Sequence, residues 1–218
     1  MSNLEWPRVV AAFADSGARA HAVLATDAVA RAWTDASILP EMTVGDIAGH
    51  LLAVLIMFDR RYDLTAPPEV VPTDAGGAGY AMVRLGRAED LELPPFRIPR
   101  EGGRRVAARG HAAAVEQFDA LLAGLDARLR DDQPDRALLV GDDAATTLRA
   151  FTTTRVVELV VHADDLAESV GLTLAPPTAD ASELVIGTLV ASTRHRLGDG
   201  PTIRALVGRG DVDGLRAL

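Results

Sequence analysis

Four charged side chains, Arg155, Glu158, His162 and Asp165, recur at intervals of three, four and three residues within RVVELVVHADDL. Residues three and four apart share one face of an α-helix, so the four form a single stripe and can act on one object. Val156, Val157, Leu159, Val160 and Val161 fill most of the remaining circumference. The same pattern also describes the solvated side of an amphipathic helix, with Arg155 and Glu158 as an ordinary surface pair. His50 adds a second element. It sits in IAGHLLAVLIMF with Ile47 at i−3 and Val54 at i+4, on the face that this helix buries, where an imidazole needs a polar partner. A hydrogen-bonded core histidine meets that need. So does a metal site, because His50 with Glu158 and His162 supplies three ligands and leaves coordination positions open, as a catalytic transition metal requires.

The other candidates are weaker. His21 lies in an Ala-rich stretch and His195 between two Arg, so both read as solvated or structural, and His111 reads as a surface residue near a helix start. Ser182 and Ser192 have no base arranged beside them, and GDG and GRGD near the C-terminus read as turns, not phosphate loops. The chain has no Cys, which excludes disulfides, thiolate-ligated zinc and a cysteine nucleophile; any thiol chemistry must use a borrowed thiol. The net charge is −9 with no basic block, which argues against nucleic acid or an anionic membrane as partner. Ile47 to Phe58 is the longest stretch without Asp, Glu or Arg, well below the roughly 18 apolar residues of a membrane span, and MSNLEWPRVV has no signal-peptide pattern. A cytoplasmic protein is expected. Every basic residue is Arg and the chain is rich in Ala, as in a high-GC coding sequence.

These side chains must be positioned by helices. Helical periodicity predicts one helix from Trp6 to about Thr34, with Gly17 on its apolar stripe where a neighbouring helix can come close. A second begins at Thr43 or Val44, where Thr43 and Asp46 form a capping-box pattern. Residues 66–103 hold many Pro and Gly and read as a long surface loop with one short helix around Tyr80 to Gly86. Further helices are expected over about Arg104 to Arg130, about Ala144 to Val170 ending at Gly171, and Asp180 to Leu197. The tail TIRALVGRGDVDGLRAL reads as a β-hairpin or small α/β cap. The expected fold is mainly α: a four-helix bundle over residues 1–172 and a short C-terminal helix plus hairpin over 173–218.

The segments SILPEMTVGDIAGHLL and RVVELVVHADDL, with Trp33 and Leu39 upstream of the T-V-G-D helix start, resemble the signature segments of the mycothiol-dependent maleylpyruvate isomerase family, within the DinB-like superfamily of four-helix-bundle metalloproteins. The resemblance covers about residues 5 to 171. It implies a metal triad of His50, Glu158 and His162, usually holding Zn2+, with Ni2+ or another transition metal as alternatives. Arg155 and Asp165 are implied as neighbours that orient the ligands. It also implies mycothiol, a thiol of high-GC bacteria, as cosubstrate, activated for cis-trans isomerisation or S-transfer with a small electrophilic substrate. A substrate carboxylate calls for an Arg. Arg61, eleven residues after His50, and the tail residues Arg204 and Arg209 are the candidates. The stretch after Gly171 is shorter than the C-terminal domain of characterised isomerases, so no substrate is assigned. A noncatalytic metal- or ligand-binding bundle of stress-response or regulatory type is the alternative, and exposed helix faces leave room for a homodimer.

Overall fold

The computed structural model describes residues 4–73, 94–140 and 144–209. Helix α1 (Trp6–Leu24) carries Pro7 in its first turn, where the missing N–H costs nothing. Short α2 (Asp27–Arg31) follows, and α3 (Val44–Tyr62) starts at a complete capping box: Asp46 N–H donates to Thr43 Oγ1 at 3.1 Å and Thr43 N–H to Asp46 Oδ2 at 2.9 Å. Helices α4 (Pro94–Ala107) and α5 (His111–Arg130) come next, then strands β1 (Ala137–Leu139) and β2 (Ala145–Thr147). Helix α6 (Leu148–Ser169) is capped by Thr147, α7 (Ala179–Leu197) by Thr178, and α8 (Asp199–Leu206) ends the described chain.

Four of these helices make the bundle. Helices α1 and α3 each pack against both α5 and α6, so α6 and α5 face each other across the core, as do α1 and α3. Phe58 of α3 occupies the centre, edge-on to Phe13 of α1 at 5.6 Å and to Phe151 of α6 at 5.3 Å between ring centroids. Phe13, Phe58 and Phe118 have no exposed surface, and each such ring contributes a few kcal/mol through burial. Helix α4 lies on the outside of α3, α7 on α6 and α1, and α8 on α7. The antiparallel β1–β2 pair sits beside the end of α3, extended by Leu139 N–H donating to the Leu64 carbonyl at 2.8 Å.

The mainly α bundle with a small hairpin is as the sequence suggests, but four boundaries differ. The first helix stops at Leu24 because Thr26 caps a new one, its Oγ1 accepting from Val29 N–H. The expected third helix is two helices, separated at Gly110, whose φ of 87° only glycine adopts without strain. The expected loop 66–103 therefore ends in helix from Pro94 onward, while the short helix expected around Tyr80 to Gly86 lies outside the described residues. A hairpin stands at 137–147, and the first run of the expected tail hairpin is helix instead: Gly198 at φ 82° ends α7, and Asp199 to Pro201 open helix α8, a start signal overlooked among the glycines. Residues 210–218 of the expected tail hairpin lie outside the described residues. Among the described residues, no helix is long and apolar enough to cross a membrane.

A polar cluster fixes the hairpin end of the bundle. Tyr62 donates its O–H to Asp132 at 2.5 Å, with the Arg128 guanidinium 3.8 Å above the ring centroid. Arg136 donates to Asp132 at 2.7 Å and to the Tyr62 carbonyl at 2.9 Å. The Arg136 hydrogen bonds hold Asp132 at about 2, with smaller help from Tyr62 and the Gln133 N–H against the opposing effect of burial. A carboxylate whose pKa falls on folding stabilises the fold above its unfolded pKa, about 3.9, and loses that contribution as pH drops through the folded value. Stability should therefore decline between about pH 4 and 2 by an amount on the order of 2 kcal/mol from this group. Asp132→Asn should lower the urea midpoint at pH 7 and flatten that acid limb; an unchanged limb in the variant would assign the loss elsewhere.

Candidate metal centre

His50 stands two turns into α3, and Glu158 and His162 one turn apart on the facing side of α6. Helix α6 is buried around nearly its whole circumference from Leu148 to Val160, which excludes the solvated-face reading of its charged stripe. Its threonine hydroxyls are satisfied internally. Thr152, Thr153 and Thr154 donate their hydroxyls to the carbonyls of Leu148, Arg149 and Phe151, and Arg155 Nη2 donates to Thr154 Oγ1 at 3.2 Å. Arg155 is 7% exposed, its guanidinium 4.7 Å from the Phe151 ring centroid.

Glu158 is 4% exposed and is the hub. Its Oε2 lies 3.3 Å from His50 Nε2 and 3.2 Å from His162 Nε2. The two imidazoles meet edge to face, 4.7 Å between centroids at 87°, so both Nε2 atoms point at the same carboxylate. On its far side His162 donates Nδ1–H to Asp165 Oδ2 at 2.8 Å. Burial by itself would lower the His162 pKa, but the carboxylates of Asp165 and Glu158 outweigh it and raise the group to about 9. The field at Nε2 therefore favours a positive charge.

That charge can be a proton or a metal ion. Ligand atoms about 2.1 Å from a zinc ion at octahedral to tetrahedral angles are about 3.0 to 3.4 Å apart, and the Glu158 contacts fall in this range. One donor atom from each of His50, Glu158 and His162 lies within 4.8 Å of the others. Two imidazoles and one carboxylate suit zinc and its first-row neighbours. The Asp165 hydrogen bond sets the His162 tautomer so that Nε2 carries the free lone pair, the usual outer support of a histidine ligand.

Of the eight residues marked by sequence, His50, Glu158 and His162 form the cluster and Asp165 stands behind His162, while Arg155 lies one turn before Glu158 on α6. Arg61 does not join them. Eleven residues of helix place it about 16 Å along the axis from His50, and its Nη1 donates to the Leu139 carbonyl at 3.2 Å, tying α3 to β1. Arg204 and Arg209 are exposed on and just after α8. His111, expected at the surface, is half-buried and donates Nε2–H to the Leu24 carbonyl at 2.7 Å, ending α1, with its ring edge-on to Trp33. His21 stacks on Phe118, a structural role. Sequence reasoning missed Gly103, which it left in a loop; the signal was the Gly-Gly pair beside an arginine-rich helical turn.

A bundle of helices with an inward-facing His/Glu/His cluster is an arrangement on which metal sites are built. Residues 10–167 match the mycothiol maleylpyruvate isomerase N-terminal domain, and the chain belongs to that family. No curated protein and no solved structure matches it significantly.

The geometry separates ligands from their support. His50→Ala and His162→Ala should each abolish stoichiometric metal uptake, read by elemental analysis. Asp165→Asn should retain uptake but weaken it about 10- to 100-fold in a chelator competition, since the tautomer is no longer held by a charge. Wild-type affinity in Asp165→Asn would remove Asp165 from the site.

Proposed function

We propose that His50, Glu158 and His162 hold a divalent transition metal, zinc foremost, and that the protein uses it to activate the thiol of mycothiol towards a small electrophilic substrate. The observation that carries this reading is the convergence of three ligand atoms on one buried point, with His162 oriented by Asp165. A metal held by these three residues would lower the pKa of a thiol that coordinates it and so would supply a thiolate at neutral pH.

The chain's own residues do the rest. Asp165 fixes His162, Thr152 to Thr154 bond their hydroxyls to carbonyls of their own helix, and Arg155 supplies positive charge one turn from Glu158. The thiolate sulfur adds to a carbon–carbon double bond conjugated to a carbonyl, and the π electrons move to the carbonyl oxygen as an enolate. Rotation about the new single bond, return of those electrons and departure of the thiolate give cis-trans isomerisation with no net redox change. Protonation of the enolate at carbon with the C–S bond retained gives S-transfer. Both outcomes need the negative charge to be matched, and Arg155 is the buried cation nearest the ligand set in sequence and on the helix face.

Mycothiol at about 100 times its Kd should raise the melting midpoint of the zinc-loaded protein by about 5 to 10 °C. With Co2+ in place of zinc it should produce a sulfur-to-metal charge-transfer band, and both responses should vanish in His50→Ala. Metal uptake with neither response would leave the noncatalytic metal-binding bundle as the correct reading.

A further inference from the structure

Behind His50, where α4 crosses α3, Gly49 and Gly103 let the two backbones meet directly. A Cβ added at Gly49 would lie 2.2 Å from the Gly103 carbonyl oxygen and 2.9 Å from Ala107 N. A Cβ added at Gly103 would lie 2.9 Å from the Asp46 carbonyl oxygen, 3.0 Å from His50 N and 3.2 Å from His50 Cα. All these partners are backbone atoms, which cannot swing aside as a side chain can. The backbone of α4 therefore rests directly on the turn of α3 that bears the metal-ligand candidate.

Three ties hold α4 in that seat. Arg100 Nη2 donates to the Pro40 carbonyl at 2.7 Å and Arg104 Nη2 to the Glu41 carbonyl at 2.9 Å, both in the loop before α3. Trp33 Nε1 donates to the Ala107 carbonyl at 3.3 Å, at the C-terminal end of α4. Trp33 also backs the first turn of α3: Gly45 N–H donates to the Trp33 carbonyl at 2.8 Å, and a Cβ at Gly45 would lie 2.7 Å from that oxygen. The His50 turn is thus braced from behind over two helical turns, with its imidazole directed to Glu158 on the opposite side.

We propose that Gly103 is a positioning residue for His50: its backbone contact with α3 at Gly49 and His50 sets the distance from His50 Nε2 to the Glu158 carboxylate. The proposal rests on the metal reading only for its consequence, ligand affinity; the placement of His50 stands apart from it. A helical glycine retained merely for packing would change stability when replaced and leave the imidazole environment alone. A positioning glycine must move the imidazole.

Gly103→Ala is the test and Gly102→Ala its control, because a Cβ at Gly102 meets nothing within 4 Å while gaining the same helix propensity. In the metal-free protein labelled at histidine, with His50 assigned through His50→Gln, Gly102→Ala should keep the wild-type His50 imidazole signals and Gly103→Ala should shift them. With Co2+, Gly102→Ala should match the wild-type affinity and ligand-field spectrum. Gly103→Ala should bind about 10- to 100-fold more weakly with altered bands. Wild-type His50 signals and spectrum in Gly103→Ala, whatever its melting temperature, would overturn the proposal. Failure of the wild type to take up Co2+ would overturn the metal reading instead, and the imidazole signals would still decide the positioning. If Gly103→Ala does not fold, Arg100→Ala/Arg104→Ala, which releases two of the three ties of α4 without touching the core, should shift the same signals; unchanged signals there would equally overturn it.

Discussion

A carboxylate in the interior of a helical bundle costs several kcal/mol unless a cation and hydrogen bonds compensate it. Glu158 is such a group, and the architecture around it follows from that constraint. Its closest partners come from two helices, and α6 itself supplies the first, His162 at i+4. The second imidazole comes from the neighbouring α3, so α3 and α6 must pack against each other at a fixed height. Asp165 then raises the positive character of His162, and burial, which alone would favour the neutral ring, is outweighed. Whether a proton or a metal ion occupies the point between the rings, the cluster requires one positive charge there.

Helix α3 meets this requirement by having two unlike faces. Inward, Ile47, Leu51, Leu55 and Phe58 belong to the core, and Phe58 locks the helix to α1 and α6 through two edge-on rings. Outward, Gly45 and Gly49 present bare backbone to Trp33 and to α4. At its C-terminal end, Arg61 and Tyr62 bind β1 and the Asp132–Arg136 pair. The helix is therefore held at its start, behind His50 and at its end. A ligand that must stay within a few tenths of an ångström of its partners needs support of this kind.

The cluster was legible in part because helical spacing is a local property. The shared face of Glu158, His162 and Asp165 follows from period, with His50 needed to set it apart from a solvated face, and Thr43 with Asp46 marks the start of α3 to within one residue. What was not legible depends on contacts between distant residues or on a single backbone angle. Ala-rich sequence continues across Ala25 and Ala32 without a visible break, so the cap at Thr26 was lost within a good helix-forming run. Gly102 and Gly103 look alike in sequence, yet one faces open space and the other a helix backbone. Arg61 shares a helical face with His50 by angle, but rise along the axis separates them, a distance that an angular argument alone ignores.

The composition takes on a chemical meaning beside the proposed reaction. An activated double bond conjugated to a carbonyl is attacked by thiolates and by uncharged amines, and this chain contains neither Cys nor Lys. Its cationic work is carried by arginine, whose guanidinium stays protonated and is a poor nucleophile while still offering paired donors to carboxylates and carbonyls. Arg100, Arg104, Arg128 and Arg136 all serve in this way, binding carbonyls or carboxylates that lysine would contact through one mobile ammonium. A high-GC coding bias would produce the same arginine preference without any selection on chemistry. Its effect on the folded chain is nevertheless definite: no cysteine thiol or lysine amine competes with an incoming thiol for an electrophile. The imidazoles drawn to Glu158 are further restrained, because Nδ1 of His162 is committed to Asp165 and both Nε2 atoms to the carboxylate. A borrowed thiol would therefore meet its substrate in surroundings where the side chains themselves are slow to react.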